Sequence, residues 1–208
     1  MRHAFSFPAH IRHAVRAHVQ RAIEAVSPER FQQEPAYTAA LLSRLEGVAY
    51  EGTDGSVVFR TTNVNSIGPG SAERWSGADF AITADISRGD LRVTKAILAQ
   101  AKLGEPVDLA AAERGRLVAQ IQDMKRLTRS PKVLLVRELD GLREPLMASG
   151  NAIAEGLDAR PLTLPDYFVR RILTTLDGDT RPEFVAGVQE GSLQQLRVFA
   201  RVESRVAQ

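Results

Sequence analysis

Apolar residues along the chain follow two periodicities, and the switches between them mark the elements. From about Pro8 to Val26, Ile11, Val15, Val19, Ile23 and Val26 recur every three or four residues, the spacing of one helix face. Arg12, His13, Arg16 and Arg21 lie off that stripe and give the helix a basic outer side. His10, His13 and His18 share the stretch without the i, i+4 spacing of a two-histidine metal pair, so the reading is an amphipathic helix. A second helix is predicted from Pro35 to Glu46. Proline suits the first helical position, Thr38, Leu41, Leu42 and Leu45 form a buried face, and Gly47 supplies the stop. Glu34 stands just ahead of this stripe, where a helix N-terminus also favours negative charge.

Ser56 to Ser66 is β-branched and alternating, which predicts a strand. The run "IGPGSAERWSG" that follows reads as a loop. Gly77 to Leu103 then holds two alternating apolar segments joined by a polar turn at Ser87 to Asp90. Asp108 to about Arg129 is helical, with Leu109, Leu117, Ile121, Met124 and Leu127 as its core side. Lys132 to Leu139 is a short apolar run of the kind expected for a buried strand. The order is helix, strand, strand, strand, helix, strand, with the three strands drawn as a meander. Further on, "LPDYFVRRILTTLDGD" predicts a helix ending near Gly178, with Tyr167, Phe168, Ile172 and Leu176 inside. The segment "SLQQLRVFARVESRVAQ" fits a strand or a helix equally. The expected organisation is one domain, 1–208: an N-terminal helical extension over 1–30, a core over 34–139 and a C-terminal extension over 140–208.

Composition narrows the classes. With 44% hydrophobic and 25% charged residues the 208-residue chain is an ordinary globular one. It has no apolar run near the roughly 20 residues that span a bilayer and no leader-like segment at its start, so a cytoplasmic protein without a membrane partner is expected. The absence of cysteine removes disulfides, thiolate metal sites and thiol nucleophiles. No Gly-x-Ser-x-Gly presents a serine, and "GPGSAERW" lacks the Gly-Lys-Ser/Thr ending of a phosphate-binding loop. The net charge is only +2, so the chain is not a general polycation.

The candidate chemistry lies in the paired segments. Asp79 opens the first, and Gln100 and Lys102 close the second. Antiparallel pairing sets the start of one strand beside the end of the next, and residues two apart share a face. A carboxylate, an amide oxygen and an ammonium would then surround one point. Oxygen donors of this kind suit Mg²⁺, and an ammonium beside it can orient a water or stabilise added negative charge. The plainer alternative is an Asp79–Lys102 salt bridge at a sheet end with an exposed glutamine.

Asp79, followed by Gln100-Ala101-Lys102 within this element order, resembles the PD-(D/E)xK nuclease superfamily. The likeness covers about Glu34 to Leu139, and "SAERWSGADFAI" with "KAILAQAKL" is similar to forms in restriction and phage-defence nucleases. It implies an α/β restriction-endonuclease-like core, αβββαβ, its mixed central sheet flanked by helices, with N- and C-terminal helical additions. It also implies Mg²⁺-dependent endonuclease hydrolysis of nucleic-acid phosphodiesters, with Mn²⁺ able to substitute. By this resemblance Asp79 is the main metal ligand, Lys102 the water-positioning lysine, and Gln100 stands at the second carboxylate position. Glutamine also stands there in the methylation-directed restriction branch, although it brings no charge and should weaken metal affinity. Glu34 is the candidate helix carboxylate, with Glu73 second. Gln120 is a candidate phosphate contact, and Arg74, Arg114, Arg116, Arg126 and Arg129 are candidate arginines for the nucleic acid. The implied partner is double-stranded DNA, engaged by a homodimer or within a larger defence complex. The alternative is a catalytically silent nucleic-acid-binding or scaffold subunit on the same fold.

Overall fold

The computed structural model describes residues 5–26, 30–62, 76–104, 106–139 and 142–203. Glu73 and Arg74 lie outside the described residues. The elements are α1 (Ala9–Glu24), α2 (Glu34–Leu45), β1 (Gly47–Gly52), β2 (Gly55–Thr62), β3 (Phe80–Arg88), β4 (Leu91–Leu103), α3 (Ala111–Leu127), β5 (Lys132–Leu139) and β6 (Leu142–Ser149). There follow α4 (Gly150–Ala154), β7 (Leu162–Thr163), α5 (Leu164–Tyr167) running into a π-helical turn at Phe168–Ile172, α6 (Pro182–Glu190) and β8 (Gln194–Val202). All eight strands form one sheet in the order β1-β2-β8-β3-β4-β5-β6-β7. The pairings β8–β3 and β4–β5 are parallel and the other five antiparallel. The fold is α/β, a mixed sheet flanked by helices.

Strand alternation divides the core into two layers. On one face Phe80, Ile82, Ile97, Ala99, Leu196 and Val198 pack with α1, α2 and the α5–π segment. On the other, Ala81, Ala96, Leu98, Val133 and Leu135 pack with α3 and α6. The stripe of α1 is as its periodicity predicts, with Ile11, Val15 and Val19 wholly buried. α1 is therefore more than an outlying extension, because it closes one of the two layers. In β5, Val133 to Val136 are all buried, as a strand covered on both faces requires.

Three expectations are corrected. The opening strands are not a meander: β8 inserts between β2 and β3, antiparallel to the first and parallel to the second. The C-terminal part is not a helical addition either, since residues 142–203 supply β6, β7 and the central β8. Leu176 is exposed, because the helix expected to carry it inward gives way after Ile172 to turns. An additional strand, β1, pairs with β2 through the tight turn after Gly52. A register shift between Val48 and Tyr50 breaks its alternation, which hides it from a period-two search. No helix among the described residues is long and apolar enough to cross a membrane.

Candidate active site at the end of β3 and β4

The entry to β3 is fixed by close backbone packing. Gly77 has φ +68° and lies so near α3 that a Cβ there would sit 2.3 Å from the Gln120 carbonyl oxygen. Both the left-handed conformation and the contact demand glycine. The Ser76 hydroxyl accepts a hydrogen bond from the Ala78 amide at 3.2 Å. One residue later the Asp79 amide donates to the Ala99 carbonyl at 3.0 Å, so the aspartate enters the sheet already in register with β4 (Phe80 opposite Ala99).

Asp79 Oδ2 accepts from the Ala101 amide at 2.8 Å and from Gln100 Nε2. Gln100 is 1% exposed. Its Nε2 also donates to the Ala101 carbonyl at 3.2 Å, whereas its Oε1 is buried without a hydrogen-bond partner among the described residues. An orphan acceptor at such depth costs about 1–3 kcal/mol. Two residues on, Lys102 Nζ donates to Glu34 Oε1 at 3.0 Å, and the Leu103 amide donates to Glu34 Oε2 at 3.0 Å. The Lys102 and Glu34 side chains are 14% and 19% exposed. Glu34 is the first residue of α2, where the helix N-terminus favours its charge.

The end of β4 thus gathers four of the residues singled out from the sequence. Asp79 is held at Gln100 and Ala101, and Glu34 at Lys102 and Leu103, two residues further along, about 7 Å of strand. The plain Asp79–Lys102 salt bridge is not what forms: the lysine pairs with Glu34, and the glutamine is buried rather than exposed. Among the described residues no three histidine, aspartate or glutamate side chains converge as a metal group. Here the hard donors are two carboxylates and one amide oxygen.

Gln120 borders the site through its backbone contact with Gly77, and its Oε1 is a second buried amide oxygen without a partner among the described residues. Arg116, exposed, stands one turn before it on α3. Arg126 lies at the other end of that helix, paired with Asp123 at 2.9 Å beside the apolar cleft between α3 and α6. Arg114 is tied down by the Val107 and Leu109 carbonyls, and Arg129 is exposed beyond the helix end. The structure therefore brings Gln120 to the site through Gly77, and Arg126 lines the apolar cleft that Ser76 also borders. Gly77 was missed as a positioning residue, although glycine directly before Ala-Asp at a strand start is a readable sign of close backbone approach.

Comparison of the chain with protein-family models, with curated proteins and with solved structures finds no match. Function must be argued from the geometry of the site itself.

Proposed function

We propose that the protein is a metal-dependent nuclease that hydrolyses phosphodiester bonds of nucleic acid, with double-stranded DNA as substrate, in restriction or phage defence. The observation that carries this reading is the gathering of Asp79, Gln100, Lys102 and Glu34 at the end of one strand, with the buried Gln100 Oε1 left without a donor. Support also comes from topology: β3 and β4 antiparallel, then α3 crossing to a parallel β5, an arrangement that suits a restriction-endonuclease-like core.

The donor set fits a divalent cation. Asp79, Glu34 and the Gln100 amide oxygen are hard oxygen ligands of the kind Mg²⁺ takes, and a buried acceptor lacking a hydrogen bond is satisfied by a cation. When bound there, Mg²⁺ supplies Lewis acidity and a more acidic water. The chain's own residues do the rest. Hydrogen bonds from Ala101 and Gln100 hold the Asp79 carboxylate in one orientation. The Lys102 ammonium orients the attacking water or stabilises charge developing on the phosphoryl oxygens, once its bond to Glu34 is exchanged. Gly77 keeps Asp79 at its height against α3.

A second reading is a catalytically silent nucleic-acid-binding or scaffold subunit. It is favoured by the mutual satisfaction of the polar groups: Lys102 is already neutralised by Glu34, and Asp79 is already hydrogen-bonded by a neutral amide. Incubation of plasmid DNA with the protein in Mg²⁺, in Mn²⁺ and in EDTA, beside Lys102→Ala, decides between them. Metal-dependent nicking or linearisation that the variant lacks supports the nuclease. Salt-sensitive binding without cleavage, unchanged by the variant, supports the silent subunit.

A further inference from the structure

Helices cover one face of the sheet from β1 to β6, but on the other face α3, α4 and α6 sit over β3, β4, β5 and β6. Among the described residues the outward side chains of β1, β2 and the Phe199 end of β8 have no covering helix, whereas Gln195 and Arg197 of β8 reach carbonyls at the end of α6. Register places Val48, Val58 and Phe199 in one row across these three strands. Val48 is 51% and Phe199 44% exposed. The adjacent row sets Arg60 directly opposite Arg197.

Neither half of this arrangement is explained by folding. A phenylalanine on a central strand normally packs beneath a helix or a second sheet, and like charges directly opposite one another destabilise a strand pair. Neither arginine forms an ion pair among the described residues. Arg197 is steadied by neutral acceptors, Gln195 Oε1 at 3.3 Å and the Gln189 carbonyl at 3.2 Å, and the Arg60 side chain makes no hydrogen bond among the described residues. The neighbouring acids Asp85 and Glu203 are already engaged, by Arg92 at 2.9 Å and Arg201 at 2.8 Å. Glu51 shares the far end of the face, opposite Ser56. A cleft of about 210 Å³ opens beside Phe199 between the sheet and the end of α6, with Asp85, Glu190 and Arg197 in its walls.

We propose that this face is a docking platform for single-stranded nucleic acid, with a base stacked on Phe199 and phosphates neutralised by Arg60 and Arg197. Aromatic side chains on an open surface beside cations are what sequence-tolerant single-strand binding uses. At the cleft Glu190 is an acceptor for an exocyclic amine of the stacked base. A second copy of the chain is a poorer occupant, because a two-fold contact centred on Phe199 would bring the partner's arginines toward a pair that already repels. The platform is on the same side of the sheet as Asp79 and Gln100. Phe199 is in register with Asp85, six residues along β3 from Asp79, about 20 Å of strand. That is the span of about six stacked nucleotides at about 3.4 Å each. This inference rests on the reading of the β3–β4 site as acting on nucleic acid, and it adds that the strand engaged away from the site is held unpaired.

The test is fluorescence anisotropy of a labelled single-stranded 20-mer, as DNA and as RNA, titrated with the full chain in EDTA so that cleavage plays no part. Phe199→Ala should weaken binding about tenfold, within the range for loss of one stacked base, and Phe199→Trp should restore it. The double change Arg60→Ala with Arg197→Ala should lower the salt slope by about two phosphate contacts. All are exposed or half-exposed positions, and circular dichroism checks folding. Unchanged affinity in folded Phe199→Ala and in the double variant overturns the platform while leaving the nuclease proposal standing. Strand binding lost in these variants, in a protein that cleaves nothing, keeps the platform and removes the nuclease. A dimer in light scattering that Phe199→Ala dissociates, without effect on strand binding, overturns the platform in favour of a contact between copies.

Discussion

Lys102 donates to Glu34 across 3.0 Å, tying the end of β4 to the first residue of α2. The two are 68 residues apart in sequence, and under the proposed function the pair has a chemical part to play beside its structural one. Glu34→Gln removes the charge but keeps an acceptor of the same shape. Thermal unfolding of this variant should show a loss of about 1–2 kcal/mol, below the range for breaking a fully buried pair because both groups reach solvent. Lys102→Met should cost a similar amount of stability yet lower any cleavage rate at least about a hundredfold. Cleavage by folded Lys102→Met at the parent's rate would count against a chemical role for the lysine.

Gln100→Glu adds a carboxylate where a neutral amide now donates to Asp79. Without metal the two carboxylates repel, and the folded protein should lose about 1–3 kcal/mol of stability at neutral pH. Titration with Mg²⁺ should recover that loss at lower metal concentration than the parent needs for any stabilisation. Calorimetric scans across a metal series check it, and a variant that metal does not rescue removes Gln100 from the ligand set.

Gly77→Ala tests the positioning of Asp79. The new Cβ would meet the Gln120 backbone at 2.3 Å in a left-handed conformation, and neither chain segment is a flexible side chain that can turn aside. Urea unfolding should report a loss of about 2–4 kcal/mol, from overpacking and backbone strain together. A loss below about 0.5 kcal/mol would mean that β3 and α3 separate easily there.

Asp179 joins three elements: its backbone bridges Ala96 of β4, and its carboxylate accepts from Thr128 and Arg181. The Arg181 hydrogen bonds, chiefly, hold its carboxyl below the usual carboxylate value. A depressed folded pKa contributes stability that is fully present above the unfolded value, about 3.9, and is lost as pH falls through the folded one. Asp179→Asn should therefore be less stable than the parent by about 1–2 kcal/mol at pH 7. The gap should persist to about pH 4 and close below it. Paired denaturant titrations between pH 7 and pH 2.5 measure the difference, and a gap that does not change with pH would assign the loss to geometry instead.

What could be read from the sequence was local. The stripes of α1 and α2, the run of β5 and the nearness of Asp79 to Gln100 follow from periodicity and one antiparallel turn. Glu34 was picked by resemblance, and its place against Lys102 depends on how α2 docks on the sheet, which no spacing encodes. The position of β8 was illegible for the same reason: Leu196, Val198 and Ala200 alternate, but a strand's neighbours are chosen by distant partners. β6 was hidden by Pro145, which a strand beside only the two-residue β7 tolerates. The missing donor for Gln100 Oε1 is a property of packing alone.

The late arrival of β8 has a consequence for how the chain is made. The strands on either side of it, β2 and β3, are synthesised long before and do not pair with each other. During translation the β1–β2 hairpin and the β3–β4–β5 group must wait as separate pieces, each with an open edge. A chain stopped before residue 194 would carry every residue of the Asp79 site and yet have no strand to join these pieces. Such a fragment would leave the Asp79 site on a sheet with unjoined edges, so the site should be held in its final frame only once β8 has been made.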